Sequence, residues 1–264
     1  MAEELSHHQA LIVDQFTQQA RPFAELATHS QEDAFRLLLE AAAPQANDEV
    51  LDVACGPGLV ACFLAPHVRH VTGVDLTPAM LEQARRLQAE KGLHNLSWRL
   101  SEAESLPFAD GAFSLVVTRY ALHHMPSPAA CVAEMTRVCR HGGRIVIVDV
   151  YTTSAEQEEH YNRFEKLRDP SHARALRLEE LQAMAAGAGM GEVRCSFYRL
   201  ATEMESQLAA SFPNPGDEER LREMLRQDVG RNQTGLEPYW DGERLRFSYP
   251  CVVLSGRVSH ASER

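Results

Sequence analysis

The chain has 264 residues, a formal net charge of −11 and 44% hydrophobic residues, which is typical of a soluble globular protein with a sizeable core. The acidic balance argues against nucleic acid as a partner, because phosphate backbones are bound by clustered Lys and Arg. No stretch approaches the ~20 apolar residues of a membrane span, and the N-terminus lacks the features of a signal peptide. The six cysteines form no CxxC pair. We therefore expect a cytoplasmic protein with reduced thiols, no membrane span and no metal site.

From residue 49 onward, short apolar runs alternate with helical stretches. The predicted strands are 49–54, 70–75, 96–100, 113–119, 143–150, 191–200 and 246–258. The predicted helices between the first five strands are 58–68, 78–92 and one near 128–140. Apolar strands that alternate with helices indicate an α/β fold whose mostly parallel sheet is covered on both faces.

The turn after the first predicted strand, "ACGPG", is rich in glycine. A Cβ at Gly56 or Gly58 would obstruct a ligand that approaches the backbone, so the turn indicates a ligand crevice. Asp75 ends the second predicted strand at the same edge of the sheet, where a carboxylate can accept hydrogen bonds from both hydroxyls of an adenosine ribose. The turn and Asp75 alone fit a nicotinamide cofactor as well as another nucleoside.

Two further features favour a ligand other than a nicotinamide dinucleotide. Asp52 lies inside the first strand, which is usually wholly apolar in dinucleotide-binding proteins, and its carboxylate suits an amino-acid or sulfonium group. Glu102 and Ala103 follow the third strand, where a side-chain acceptor and a backbone amide can bind the edge of adenine.

Four segments in order resemble a class I S-adenosylmethionine-dependent methyltransferase, of the type that includes the ubiquinone and menaquinone biosynthesis C-methyltransferases. They are "VLDVACGPG", "GVDLTPAMLEQAR", "SEAESLPFADGAFSLVV" and "LHHMPSPAACVAEMTRVCRHGGRIVIVDV". The segment 165–190 resembles a narrower group of mostly uncharacterised bacterial small-molecule methyltransferases. The resemblance implies a Rossmann-like, doubly wound, mostly parallel seven-stranded sheet with one antiparallel strand and helices on both faces. It also implies a single domain, 1–264, made of an N-terminal helical lid (1–45), a cofactor-binding core (46–150) and substrate-side helices with the final strands (151–264).

Carried over position by position, the resemblance predicts the residues that bind S-adenosylmethionine. The methionine part would face Asp52, Ala54, Gly56 and Gly58. Asp75 would bind the ribose, Leu76 and Met80 would flank adenine, and Glu102 with Ala103 would bind its amino edge. Arg119 would lie near the methyl donor, and Phe16 would contact the cofactor from the lid segment "QFTQQARPF". Relatives often carry aspartate where Glu102 stands, so the longer carboxylate would reach adenine differently.

Methyl transfer needs a base only if the acceptor carries a proton that must leave. His123 and His124 follow the fourth strand, where one imidazole could take that proton near neutral pH, and packing or a contact to the cofactor is the alternative role. Arg168 and His172 lie in "LRDPSH" and form a candidate clamp for an anion or a hydroxyl in the substrate pocket, with Tyr161 one or two helical turns upstream on a compatible face. A structural ion pair of Arg168 with Glu165 or Asp169 is the alternative there.

The leading interpretation is a methyltransferase for a small-molecule acceptor, with S-adenosylhomocysteine as product, acting as a monomer or homodimer. The alternatives are a nicotinamide-dependent oxidoreductase and a non-catalytic S-adenosylmethionine binder. A cyclisation or other adenosyl reaction with the same cofactor also stays open. The acceptor pocket separates enzyme from binder, because only an enzyme needs a closed cavity beside the methyl group.

Overall fold

The computed structural model describes residues 6–26 and 32–259, without the side chains of 21–26 and 32. Within these ranges the backbone forms one mixed sheet of eight strands. They are β1 (Glu49–Val53), β2 (His70–Asp75), β3 (Leu96–Leu100), β4 (Phe113–Arg119), β5 (Cys139–Val150), β6 (Met190–Glu203), β7 (Tyr239–Asp241) and β8 (Arg244–Val258). The strand order is β3-β2-β1-β4-β5-β8-β6, with β7 paired to β8.

Strands β1 to β5 are parallel, β8 is antiparallel to β5, and β6 is antiparallel to β8. The predicted α/β fold with a mostly parallel sheet is thereby confirmed, but the predicted count of seven strands is one short. The additional strand, β7, has only three residues and pairs with the start of β8. Three residues are too few to show a strand periodicity in a sequence.

Nine α-helices are found among the described residues. They are α1 (His7–Leu26), α2 (Glu32–Ala42), α3 (Leu59–Leu64), α4 (Pro78–Glu90), α5 (Pro128–Val138), α6 (Ala155–Arg168), α7 (Leu178–Gly187), α8 (Met204–Ala209) and α9 (Asp217–Asp228). Helix α3 is shorter than the predicted 58–68 because Pro66 lacks a backbone N–H, and the chain continues as a 3₁₀ turn (Ala65–His67). None of the helices that the structure describes is long and apolar enough to cross a membrane.

Alternating side chains of the central strands fill two cores, one on each face of the sheet. Val116 and Ile147 point to the face that packs against α5 and α7, whereas Val117 and Val148 point to the face that packs against α2 and α3. A third cluster joins α6, α8 and α9 to the first half of β8, and it includes Val150 at the carboxyl end of β5. This third cluster lies at the sheet edge where a ligand is expected.

Candidate active site

The turn after β1 has left-handed backbone at Ala54, Gly56 and Gly58, with φ values of 54°, 52° and 80°. A Cβ at Gly56 would meet only the Sδ atom of Met80, at 4.0 Å, so this side of the turn is open to a ligand. A Cβ at Gly58 would instead lie 2.7 Å from the ring of Trp98 and 2.9 Å from the Cβ of Ala84. Gly58 therefore permits close packing inside the fold, and its predicted contact with the ligand stays a prediction.

Asp75 holds this turn from the end of β2. Its Oδ2 accepts a hydrogen bond from the N–H of Gly56 and its Oδ1 accepts one from the N–H of Thr77, both at 2.8 Å. A carboxylate offers about four acceptor positions, so capacity is left for two ligand hydroxyls. Burial raises the pKa of Asp75 in spite of these backbone donors.

Asp52 lies at the bottom of the crevice and is 1% exposed. Its Oδ2 accepts no hydrogen bond from the described residues. Burial raises the pKa of Asp52 to about 7, against a hydrogen bond from the backbone of Ala61, and the charge of Asp75 adds to the rise. A buried carboxyl in this state gains most from a cationic or hydrogen-bond-donating ligand group.

A cleft of about 1050 Å³, including its open mouth, surrounds these groups. Every residue predicted to bind the cofactor except Gly58 lines it: Phe16, Asp52, Ala54, Gly56, Asp75, Leu76, Met80, Glu102, Ala103 and Arg119. Helix α1 contributes Gln9 and Ile12 beside Phe16. The guanidinium of Arg119 stacks on the rings of Phe35 and Tyr120, at 4.7 and 4.5 Å from their centroids. The four motifs of the sequence therefore converge on one cleft.

A second pocket of about 960 Å³ adjoins the cleft and shares three wall residues with it, Phe16, Tyr120 and His124. Its other walls come mainly from α6, β6 and β8, including Tyr161, Glu165, Arg168, Leu200, Ala201 and Tyr249. Tyr120, at the boundary, has φ of 54°, a strained conformation for a residue with a Cβ. Such strain is found most often where a side chain must be held at a functional site.

His123 and His124 lie between the two pockets and differ in their hydrogen bonds. The Nδ1 of His123 is 2.5 Å from Oδ1 of Asp149, whereas the Nδ1 of His124 is 3.2 Å from the carbonyl oxygen of Ser171. Burial lowers the pKa of His123, but the charge of Asp149 outweighs it and the pKa is raised. Burial and the neighbouring His123 lower the pKa of His124 to about 3. Only His123 is therefore suited to accept a proton near neutral pH.

Arg168 and His172 are both buried, but they do not form the predicted clamp. The guanidinium of Arg168 makes two short hydrogen bonds to Glu165, 2.9 Å from Nε and 2.6 Å from NH2, so its charge is already paired. The Nε2 of His172 donates to Oδ1 of Asn162 at 2.7 Å, and His172 does not line either pocket. Arg168 thus lines the second pocket with its charge already paired to Glu165. His172 lies outside the pocket and joins its own loop to Asn162 on α6.

The chain is similar to known proteins over most of its length. The family model described as "Methyltransferase domain" matches residues 51–147. An uncharacterized methyltransferase, YcgJ of Bacillus subtilis (strain 168), is 32% identical over 244 residues, which are 91% of this chain and 96% of the relative. The chain belongs to the class I S-adenosylmethionine-dependent methyltransferases.

Two crystal structures show how far this methyltransferase shares its fold with relatives. The structure of the Bacillus subtilis YcgJ protein has a TM-score of 0.81 and 28% identity, and it covers 87% of this chain and 99% of that chain. A putative methyltransferase from Bacillus halodurans C-125 has a TM-score of 0.76 and 30% identity, and it covers 84% of this chain and 97% of that chain. The leading interpretation, S-adenosylmethionine-dependent methyl transfer, is confirmed over the nicotinamide alternative.

The residues of the cleft fit the cofactor of this methyltransferase family. The unpartnered Oδ2 of Asp52 matches the positively charged methionine part, and the open side of Gly56 admits a ligand to the backbone. Asp75 keeps acceptor capacity for the ribose hydroxyls after binding Gly56 and Thr77.

Asp149 and Tyr249 were not predicted from the sequence of the methyltransferase, whereas Tyr161 was predicted beside Arg168 and lines the second pocket. Asp149 had a usable signal, because it interrupts the apolar run "IVIVDV" just as Asp52 interrupts "EVLDV". No local pattern marks Tyr249, which comes from β8 and meets Tyr161 of α6 only in the third core cluster.

Proposed function

We propose that this methyltransferase transfers the methyl group to a small molecule that binds in the second pocket. The observation that supports the proposal is the pocket itself, which has apolar and polar walls and adjoins the cofactor cleft through the shared residues Phe16, Tyr120 and His124. A non-catalytic S-adenosylmethionine binder would need no such cavity. The net charge of −11 favours a small molecule over nucleic acid as the acceptor.

The proposed roles follow from the contacts in the cleft. The bound cofactor supplies a methyl group on a positively charged sulfur. Asp52 balances positive charge at the methionine end, and Asp75 orients the ribose. Leu76 and Met80 enclose adenine, and Glu102 with Ala103 binds its edge. Phe16 covers the cleft from α1, where it also meets the ring of His124 edge-on at a centroid distance of 4.8 Å.

We keep the cytoplasm as the proposed location and a monomer or homodimer as the proposed assembly. Six free thiols, five of them buried, fit a reducing compartment. Size-exclusion chromatography with light scattering measures the assembly.

The test combines binding and turnover. The full-length protein is titrated by calorimetry with S-adenosylhomocysteine and, separately, with NAD, and we expect binding of the first only. The protein is then incubated with S-adenosylmethionine and a metabolite extract, and mass spectrometry searches for compounds that gain one methyl group. We expect such a product together with S-adenosylhomocysteine in equal amount.

A pair of variants tests whether the acceptor binds in the second pocket. Leu200→Trp enlarges a pocket wall on β6, on the strand face that it shares with its pairing partner Tyr249, and Ala129→Trp places the same side chain on the exposed surface of α5. We expect Leu200→Trp to bind S-adenosylhomocysteine normally and to lose about tenfold or more in turnover, while Ala129→Trp retains both. Full turnover by Leu200→Trp would place the acceptor elsewhere. Cofactor binding without any methylated product would favour the non-catalytic binder.

A further inference from the structure

Among the side chains that the structure describes, none gives the second pocket an unpaired positive charge for an anionic acceptor. Its lining includes two carboxylates, Glu165 and Asp169, and one guanidinium, Arg168. Arg168 is 2.6 Å from Glu165 and 3.9 Å from Asp169 and also donates to the hydroxyl of Ser211 at 3.2 Å. The pair of His123 and Asp149 adds no net positive charge even when the imidazole is protonated. A carboxylate or phosphate on the acceptor would therefore enter a buried site of net negative charge.

The two carboxylates are also poor partners for an ammonium group, because they are already engaged. Both oxygens of Glu165 accept from Arg168. In Asp169, one oxygen accepts from the N–H and the hydroxyl of Ser171, at 2.9 and 2.6 Å, and the other accepts from the amide of Gln19 at 3.2 Å. The charges in this wall thus satisfy one another, which favours a neutral acceptor.

Two hydroxyl groups in the same wall have no partner. The side chains of Tyr161 and Tyr249 are 0% and 6% exposed, and neither hydroxyl makes a hydrogen bond to the described residues. The hydroxyl of Tyr249 faces the carboxylate of Glu165, which raises the pKa of Tyr249 in addition to the effect of burial, so the hydroxyl of Tyr161 is the freer of the two. A buried hydroxyl without a partner is costly, so both are suited to bind a polar atom of a ligand.

The imidazole of His123 is a candidate base in the second pocket. The carboxylate of Asp149 can only accept, so the Nδ1–H of His123 donates to it and Nε2 carries the free lone pair. His123 lines the second pocket, whereas Asp149 does not. Asp149 is thus a positioning residue that fixes the tautomer and the ring of His123.

From this juxtaposition of a paired Arg168, two unpartnered tyrosine hydroxyls and a carboxylate-held His123, we infer that the acceptor is a neutral phenol that is methylated on oxygen. The inference rests on the proposed function and narrows it to one class of acceptor. Aromatic walls from Phe16, Tyr120, Tyr161 and Tyr249 suit a flat ring. A phenol, with a pKa of about 10, also loses its proton to an imidazole far more readily than an aliphatic alcohol does.

The bond changes balance without a further reactant. The phenol oxygen forms the new bond to the methyl carbon, the bond from that carbon to the donor sulfur breaks, and its electron pair remains on sulfur as the neutral thioether. The Nε2 of His123 takes the phenol proton and releases it to solvent. Tyr161 and Tyr249 hold other polar atoms of the acceptor.

The first experiment identifies the product. The compound that gains a methyl group in the metabolite extract is isolated, and NMR locates the new methyl. We expect an O–CH₃ group on a neutral aromatic ring, and a carboxylated analogue of the acceptor should have a kcat/KM lower by about tenfold or more. Methylation on carbon, nitrogen or sulfur, or of an anionic acceptor, overturns the inference but leaves the proposed function intact. Absence of any methylated product refutes the proposed function itself.

The second experiment tests His123 by the pH dependence of kcat. The charged groups that face His123 are Asp149, Glu165 and Arg168, and His124 and His172 pack against its ring. We expect kcat to rise with pH to a plateau, with a midpoint above the ordinary histidine value of about 6.5, because the neutral imidazole is the base. Asp149→Asn should move the midpoint to lower pH and reduce the plateau, and Asp149→Glu should keep the raised midpoint. Equal midpoints in the wild type and Asp149→Asn, both shown by S-adenosylhomocysteine binding to be folded, would overturn the role of His123.

The third experiment tests the hydroxyl of Tyr161. Tyr161→Phe removes an unpartnered group, so thermal stability should be kept or increased while KM for the phenol rises by about tenfold. Tyr239→Phe, at a half-exposed position on β7, is the matched control and should change neither. Lower stability with unchanged KM would show that the Tyr161 hydroxyl is structural.

Discussion

The carboxyl of Asp52 is 1% exposed, and burial raises its pKa to about 7, so in the free protein it takes up a proton near neutral pH instead of only in acid. A ligand with a positive charge beside Asp52 favours the ionised form. Binding below pH 7 must therefore release the proton of Asp52, and that release costs affinity.

We expect the affinity for S-adenosylhomocysteine to fall by up to about tenfold per pH unit below pH 7 and to be level just above it. Calorimetric titrations in two buffers with different ionisation enthalpies measure the affinity and the number of protons released. Asp52→Asn should bind more weakly and with a much smaller pH dependence. If Asp52→Asn keeps the full pH dependence, the titrating group is another one, and Asp75 is the first candidate because its pKa is also raised.

At the scale of the element, helix α6 presents the buried pair of Glu165 and Arg168 to the wall of the second pocket. Arg168→Met leaves the carboxylate of Glu165 buried and unpaired, which we expect to lower the free energy of unfolding by about 3 to 5 kcal/mol. Urea denaturation measures the change. The double variant Glu165→Gln/Arg168→Met should recover most of the loss, because no unpaired charge is left. A change below about 1 kcal/mol in Arg168→Met would show that the pair contributes little.

The central parallel strands could be predicted from the sequence because burial on both faces makes them mostly apolar, as in β4, where residues 113–118 are all buried. For the last two long strands, the approximate position could be predicted from the sequence, but the first and last residues could not. Strands β6 and β8 extend into polar residues, where Glu203 lies opposite Arg246, and only the pairing between the strands keeps these ends extended. A partner strand is not visible in a single sequence.

The two halves of the candidate site differ in the same way. Most of the cofactor residues follow strand ends within short motifs, so the resemblance of these motifs was enough to predict them, although Gly58 does not line the cleft. Gln9 and Ile12 of α1 lie outside the motifs and were not predicted. The second pocket depends on residues far apart in the chain, such as Tyr161 and Tyr249, and on whether Arg168 is paired. Tertiary contacts decide whether Tyr161 and Tyr249 meet and whether Arg168 is paired, and neither can be predicted from residue type alone.

At the scale of the whole molecule, α1 lies against both pockets. Gln15 and Gln19 donate to the carbonyl oxygen of Ser211 at 2.5 and 3.1 Å, and Phe16 lines the cleft and the second pocket. We expect S-adenosylhomocysteine to slow amide hydrogen exchange in α1 by about tenfold, because α1 loses contacts if it opens with the ligand bound. Exchange monitored by mass spectrometry measures this effect, and α9, which lines neither pocket, is the internal control. Equal slowing in both helices would indicate general stabilisation.

The walls of the two pockets come mostly from different segments of the chain. The walls of the cofactor cleft end at Pro126, whereas most walls of the second pocket lie between Val150 and Tyr249, beyond the segment 51–147 that matches the family model. Changes in the later stretch can therefore alter which acceptor is methylated and leave the methyl donor's cleft as it is. In evolution, this division allows one inherited donor site to serve a series of different substrates, and a chimera that exchanges residues after 150 between relatives is the corresponding route to a new specificity.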